Sequence, residues 1–193
     1  MPNLARFRDF IARFGALVES AGENEARIFV DGIPLIGALV SHDDWLPATC
    51  AQPFEAGYRQ YLLYCDARAR FSIVSFVWGP GVKTPIHDHT VWGMVGVMRG
   101  AEICHEYAPR TLVKLGTHRV VPGDVDRVSP SIGDVHVVEN ALTDRPSISI
   151  HAYGGDIGAI RRHRFEPDGR VFDFVSGYNN TSLPNFWDRS QQA

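Results

Sequence analysis

The sequence predicts a mainly β protein, a sandwich or barrel with an N-terminal α-helical cap, and three observations carry that reading. From Tyr58 onward, short runs rich in β-branched and aromatic residues follow one another closely. Gly, Pro, Asp and Asn signals punctuate them, as in Gly79-Pro80-Gly81, Arg99-Gly100, Pro122-Gly123-Asp124 and Asp168-Gly169. Before that point the apolar residues instead recur with a helical period.

In the first stretch, Leu4, Phe7, Phe10, Ile11, Phe14, Leu17 and Val18 make one face of an amphipathic helix, with Asn3 in the N-cap position. A second, short helix is expected over Leu35 to Val40, ended by His42-Asp43-Asp44 and Pro47. The strands are expected over Tyr61–Tyr64, Phe71–Trp78, Val91–Met98, Glu102–Tyr107, Val120–Pro122, His136–Val138, Ser147–Tyr153 and Val171–Tyr178. Neither a linker nor a repeat divides the chain. Residues 1–193 therefore read as a single domain, with 1–57 mostly helical cap and 58–193 a β-barrel and C-terminal extension.

Composition narrows the function classes. A net charge of -3 offers no basic footprint for nucleic acid or an anionic membrane surface. No apolar run reaches the length of a membrane span, and Arg6, Arg8, Asp9 and Arg13 break the N-terminus as a signal peptide. The three cysteines are odd in number and lack Cys-x-x-Cys spacing. Free thiols in a cytoplasmic protein are the expectation.

The chemistry concentrates between Gly81 and Gly100. On a strand, His87 and His89 share one face while Asp88 takes the other, so two imidazoles can meet one metal ion. Gly81, His87, His89 and Gly100 fall on the spacing of the first cupin motif, and Gly133, His136 and Asn140 on the end of the second, with Pro130 one residue out of place. This resembles a cupin, which implies a double-stranded, jelly-roll-like β-barrel with His87, His89 and His136 as metal ligands in its mouth. Where that motif usually supplies a glutamate ligand, this chain has Gly93. Three neutral imidazoles leave the full charge of the metal and several open positions, which suits Fe(II) with oxygen. Catalytic zinc also uses three histidines, and spacing alone leaves both open. His105, His118 and His163 fit no motif and read as structural or exposed.

Downstream, Ser149, His151 and Tyr153 alternate with Ile148, Ile150 and Ala152. The apolar set should enter a core. The polar set either faces the metal or forms the outer face of a half-exposed strand. With the three histidines, this Ser-x-His-x-Tyr resembles the polar triad of the cysteine dioxygenase family of thiol dioxygenases. That resemblance implies a mononuclear Fe(2+) enzyme whose partners are a small-molecule thiol and O2 and whose product is a sulfinic acid. It implies catalytic roles for Tyr153, His151 and Ser149 beside the metal. Gly93 stands where mammalian-type members carry a cysteine crosslinked to the tyrosine, so Tyr153 should be a free phenol.

Cysteine-specific members place an arginine near Tyr58-Arg59-Gln60-Tyr61, and Gln60 aligns there. The bacterial branch acting on 3-mercaptopropionate resembles this arrangement, with a later arginine that Arg162 matches. Gln60 and Arg162 are thus the expected substrate-binding pair. Read without the family, Arg161-Arg162-His163-Arg164 is a solvated basic loop. A 3-mercaptopropionate dioxygenase, monomeric or a small homo-oligomer, is the reading. Cysteine is the competing substrate, and a non-catalytic metal-binding cupin sensor is the rival from another class.

Overall fold

A computed structural model describes residues 2–190. Helix α1 (Leu4–Ala21) buries Phe7, Phe10, Ile11, Phe14, Leu17 and Val18, the residues its periodicity singled out apart from half-buried Leu4. Asn3 occupies the N-cap position, but its side chain donates to Asp44 at 3.2 Å instead of capping the helix. Helix α2 (Glu25–Val40) is much longer than the expected Leu35–Val40. Its start is fixed by Asn24, whose side chain accepts from the Arg27 N–H. Pro34 lies inside it. A proline leaves the carbonyl four residues back without its partner. Here that residue is Val30, 71% exposed, so water can serve its carbonyl.

Among the described residues, eleven strands form two antiparallel sheets. The first contains β1 (Tyr58–Cys65), β2 (Ser72–Trp78), β4 (Gly93–Arg99), β7 (Val125–Val128) and β9 (Ser147–Tyr153), in the order β1-β2-β9-β4-β7. The second contains β3 (Ile86–His87), β5 (Glu102–Tyr107), β6 (Lys114–Val120), β8 (His136–Asn140), β10 (Arg162–Phe165) and β11 (Val171–Phe174), in the order β11-β10-β3-β8-β5-β6. This is the mainly β, double-stranded β-helix or cupin architecture expected, with an N-terminal two-helix segment on the first sheet.

Strand alternation divides the apolar residues between two cores. Ile73, Val77, Met94, Ile148, Ile150 and Ala152 pack with the helices. Val74, Phe76, Trp78, Val138 and Tyr153 form the smaller cluster between the sheets. Gly96 marks the helix contact, because a Cβ there would come within 2.7 Å of Ile36. Every residue of β9 is buried, so Ser147, Ser149, His151 and Tyr153 face the barrel interior and not solvent.

Three strands depart from the expected set. Lys114–Val120, Val125–Val128 and Arg162–Phe165 pair in the sheets although their runs are short, polar or basic. The run expected over Val120–Pro122 contributes only the last residue of β6. The expected strand Val171–Tyr178 stops at Phe174, and the following segment runs beside β1. There Asn179 accepts from the Gln60 N–H at 2.7 Å, and Asn180 both accepts from Leu62 N–H and donates to Leu62 C=O. These amides cover the free edge of the first sheet.

Candidate metal centre and adjoining cavity

Strand pairing brings the histidines together. His87 on β3 lies opposite His136 on β8, so their side chains are cross-strand neighbours. The strand is only two residues long, so His89 is placed by other means than the regular strand expected from sequence. Asp134 accepts from the backbone N–H groups of His89 and Thr90, each at 2.9 Å, and pairs with His89 Nδ1 at 2.9 Å. Thr90, at φ +60°, then turns the chain away. Asp88 faces the opposite way, as alternation requires, and holds His163 Nδ1 at 2.7 Å. His163 is thus structural.

The rings of His87, His89 and His136 stand 4.8–5.0 Å apart centre to centre. One nitrogen from each lies within 4.8 Å of the others, a spacing that could hold a metal ion. The outer nitrogens are already engaged. Nδ1 of His87 meets the Pro85 carbonyl at 3.1 Å, that of His89 meets Asp134, and that of His136 meets Cys104 Sγ at 3.4 Å. Such outer partners fix ring orientation and tautomer, leaving each Nε2 as the free lone pair. Burial, with His89 adding to it, pushes His87 down to about 3, and burial also holds His136 well below the ordinary range. Both are therefore neutral at pH 7, the state a ligand needs. At Asp134 burial acts upward, but the bonds to His89 and the two backbone amides prevail and keep its carboxyl lowered. Three imidazoles with orienting partners and no carboxylate in the set fit a divalent iron or zinc ion.

The Ser149, His151 and Tyr153 side chains form a hydrogen-bonded chain along β9. Ser149 Oγ meets His151 Nε2 at 2.7 Å, and His151 Nδ1 meets Tyr153 OH at 2.7 Å. Trp78 Nε1 donates to Ser149 Oγ at 3.2 Å, while Phe76 stacks on the His151 ring at 4.3 Å. Burial keeps His151 neutral and raises the Tyr153 phenol, so both hold their neutral forms at pH 7. The Tyr153 ring stacks against His89 at 5.3 Å, joining this chain to the histidine cluster. Gly93 pairs with Tyr153 across β4 and β9, and a Cβ there would lie 2.8 Å from its ring. Position 93 therefore has room for no side chain while the tyrosine keeps this position.

A cavity of about 200 Å³ opens over these groups, lined also by Tyr58, Gln60, Thr84, Pro85, Arg162, Arg164, Phe174 and Ser176. Arg162 is not on a solvated loop. It is 3% exposed on β10, its guanidinium 4.7 Å from the Phe174 ring, with Nη2 donating to Ser176 Oγ at 2.6 Å. Its buried Nε has no partner. Gln60 lines the same wall, but its amide donates to Gly177 C=O at 2.8 Å and to Ser176 Oγ at 3.1 Å. Ser176 thus ties Gln60 to Arg162.

Several residues at this site escaped the sequence reading. Asp134 lies just before β8 and its partner His89 is 45 residues away in the chain, so no local period points to it. Cys104, Ser176, Tyr58 and Trp78 carry no local motif. Glu102 is the least expected: 1% exposed, with Oε1 accepting from Ser147 at 3.4 Å and Oε2 unpartnered. Burial raises its carboxyl to about 8, against the pull of Ser149, Ser147 and Trp78.

Comparison with known proteins agrees with the motif reading. The chain is 24% identical over 131 residues to a cysteine dioxygenase type 1 of Danio rerio, covering 64% of this chain and 60% of that protein. Among solved structures, it resembles a conserved protein with a double-stranded β-helix domain from Klebsiella pneumoniae, at 17% identity and a TM-score of 0.48, over 61% of this chain and 94% of that one. It also resembles a cupin superfamily protein from Desulfitobacterium hafniense, at 15% identity and a TM-score of 0.45, over 60% and 94% of the two chains. Residues 55–166, more than half of the chain, match the family described as cysteine dioxygenase type I, and on that match the protein belongs to this family.

Proposed function

We propose that the protein is a non-haem Fe(II) thiol dioxygenase that converts a small thiol carboxylate, 3-mercaptopropionate before cysteine, to its sulfinic acid. The balance is R–SH + O2 → R–SO2H, both oxygen atoms going to sulfur. His87, His89 and His136 would hold the iron through Nε2. Fe(II) bound there supplies redox chemistry toward dioxygen and the positive charge that ionises a thiol. The remaining work falls to the chain. Arg162, desolvated and with a free Nε–H, would take the substrate carboxylate through charge-assisted hydrogen bonds. Ser176 and Phe174 hold its guanidinium in place. Gln60 has its amide hydrogens committed, so it would act by steadying Ser176 and through its own oxygen. Tyr153 keeps a phenolic proton at neutral pH, oriented by His151 and, through it, by Ser149. Phe76, Trp78 and Phe174 exclude water, which strengthens each polar contact in the cavity.

The observation that carries the choice of substrate is the charge of the cavity wall. Arg162 and Arg164 line it, and among the described residues no carboxylate does. A thiol carboxylate without an amine is matched there, whereas the ammonium group of cysteine would be buried without a counter-charge. Cysteine remains the second reading because the similar Danio rerio protein is a cysteine dioxygenase.

The test is oxygen uptake by anaerobically Fe(II)-loaded protein with each thiol at equal subsaturating concentration, with sulfinate identified in the products. Faster uptake with 3-mercaptopropionate is expected, and Arg162→Gln should raise its KM about ten- to hundredfold with a smaller change in kcat. Preference for cysteine would overturn the substrate assignment, and no uptake with iron bound would overturn the activity.

A further inference from the structure

Behind His136, on the side away from the cavity, a second group of ligand-type side chains closes on itself. Cys104 on β5 lies directly opposite His118 on β6. Asp126 reaches them from β7, and ligand atoms of Cys104, His118 and Asp126 all lie within 4.8 Å of one another. His118 Nε2 stands 2.8 Å from Asp126, and its Nδ1 stands 3.4 Å from Glu106. From these contacts we propose that Cys104 Sγ, His118 Nε2 and Asp126 form a second site, for a zinc-class divalent ion, distinct from the three-histidine site.

Four features favour this site. Thiolate, imidazole and carboxylate together are a donor set for zinc, and three protein ligands leave the fourth tetrahedral position for water or a small ligand. Glu106 stands 3.4 Å from His118 Nδ1, near enough to close onto it as the carboxylate partner of a metal-ligating histidine once Nε2 takes the ion. A cavity of about 260 Å³, lined by Cys104, Glu106, Asp126 and His136, gives an approach that does not pass through the substrate cavity. The site also spans two sheet edges, because β6 ends one sheet and β7 ends the other. A metal there would clasp β6 to β7, strands that do not pair with each other among the described residues.

Binding is a proton exchange: Cys104–SH + M²⁺ → Cys104–S–M⁺ + H⁺, with no change of oxidation state. The resulting thiolate can still accept the Nδ1–H of His136, so the second site would lean on a ligand of the first. It needs neither iron nor a thiol substrate. Its failure would therefore leave the dioxygenase reading untouched, and the reverse also holds.

The test uses Co(II), whose thiolate charge-transfer absorption in the near ultraviolet reports a cysteine ligand. The three-histidine site has none. The full chain carrying His87→Ala and His89→Ala should still bind one equivalent of Co(II) with that band. Cys104→Ser should abolish the band, and Glu106→Gln should weaken binding about ten- to hundredfold. His118 is half exposed, so His118→Ala should preserve the fold, checked by circular dichroism, and lose the band. Absence of the band in the double histidine variant would overturn the proposal. So would its survival in Cys104→Ser, which would move the ligand to Cys50 or Cys65, or its survival in His118→Ala.

Discussion

Asp134 shows how one side chain can build a site without touching a substrate. It accepts two backbone N–H groups that turn the chain at His89–Thr90, and it holds His89 Nδ1. Asp134→Asn keeps the shape but loses the charge on His89, so metal affinity should fall about ten- to hundredfold. Equilibrium competition with a chelator measures it, and unchanged affinity would make Asp134 a turn residue only. Glu102 makes a prediction of opposite character. Its carboxyl ionises near 8 in the fold and at its ordinary 4.5 when unfolded. Between those values the folded chain keeps a proton that the unfolded chain has released. Stability therefore falls as pH rises through that window, by up to about 1.4 kcal/mol per pH unit, and the contribution is full only below it. Glu102→Gln cannot ionise, so urea titrations at pH 5.5 and pH 8 should differ less than in the wild type. An unchanged difference would place the pH dependence elsewhere.

At the scale of elements, β9 does two jobs because a strand has two faces. Ile148, Ile150 and Ala152 hold the helices, while His151 and Tyr153 line the cavity and Ser149 is hydrogen-bonded to His151 behind them. The tyrosine fits because β4 presents Gly93 beneath it. Gly93→Ala would drive a methyl to 2.8 Å from the Tyr153 ring and 2.9 Å from Val128. The expected cost is about 1–3 kcal/mol of stability, read by urea denaturation, together with slower turnover as the phenol shifts. A variant as stable and active as the wild type would show that the close packing of these strands is dispensable. Elements also mark where the sequence was readable. Helix α1 and β9 declared themselves by clean periods of 3.6 and 2. Strands β6 and β10 did not, because they are rich in polar and charged residues. Helix α2 was obscured by Pro34, whose cost falls at exposed Val30.

For the whole molecule, the barrel is the device that brings His136 to His87 and His89, in a spacing that could hold a metal ion. A metal ion bound by them recognises the native chain alone, since His136 is far from the other two in the unfolded chain. At free metal a hundredfold above its Kd, binding should add about 2.7 kcal/mol of stability. For a chain of this size that raises the Tm by roughly 5–10 °C, reversed by a chelator. With Fe(II) added to the Cys104→Ser background, His87→Ala should lose most of that shift, whereas a shift of full size would mean the metal binds outside the histidine cluster.

The sequence by itself determined the class of fold, the helical start, the three histidines, the alternating Ser149-His151-Tyr153 face and the significance of glycine at 93. The helical start and the β9 face are written in residue spacing by the periods of helix and strand, while the grouping of the histidines and the reading of Gly93 rest on resemblance to the cupin and cysteine dioxygenase motifs. The tertiary structure decided that the polar face of β9 turns inward, that Arg162 is buried beside Ser176, and that Asp134 and Cys104 stand behind His89 and His136. It also brought Glu102 to Ser147 and set Cys104, His118 and Asp126 side by side. Those relations join residues from different strands and both sheets. They depend on register and on which sheet edges face each other, and neither leaves a trace in the spacing of residues along the chain.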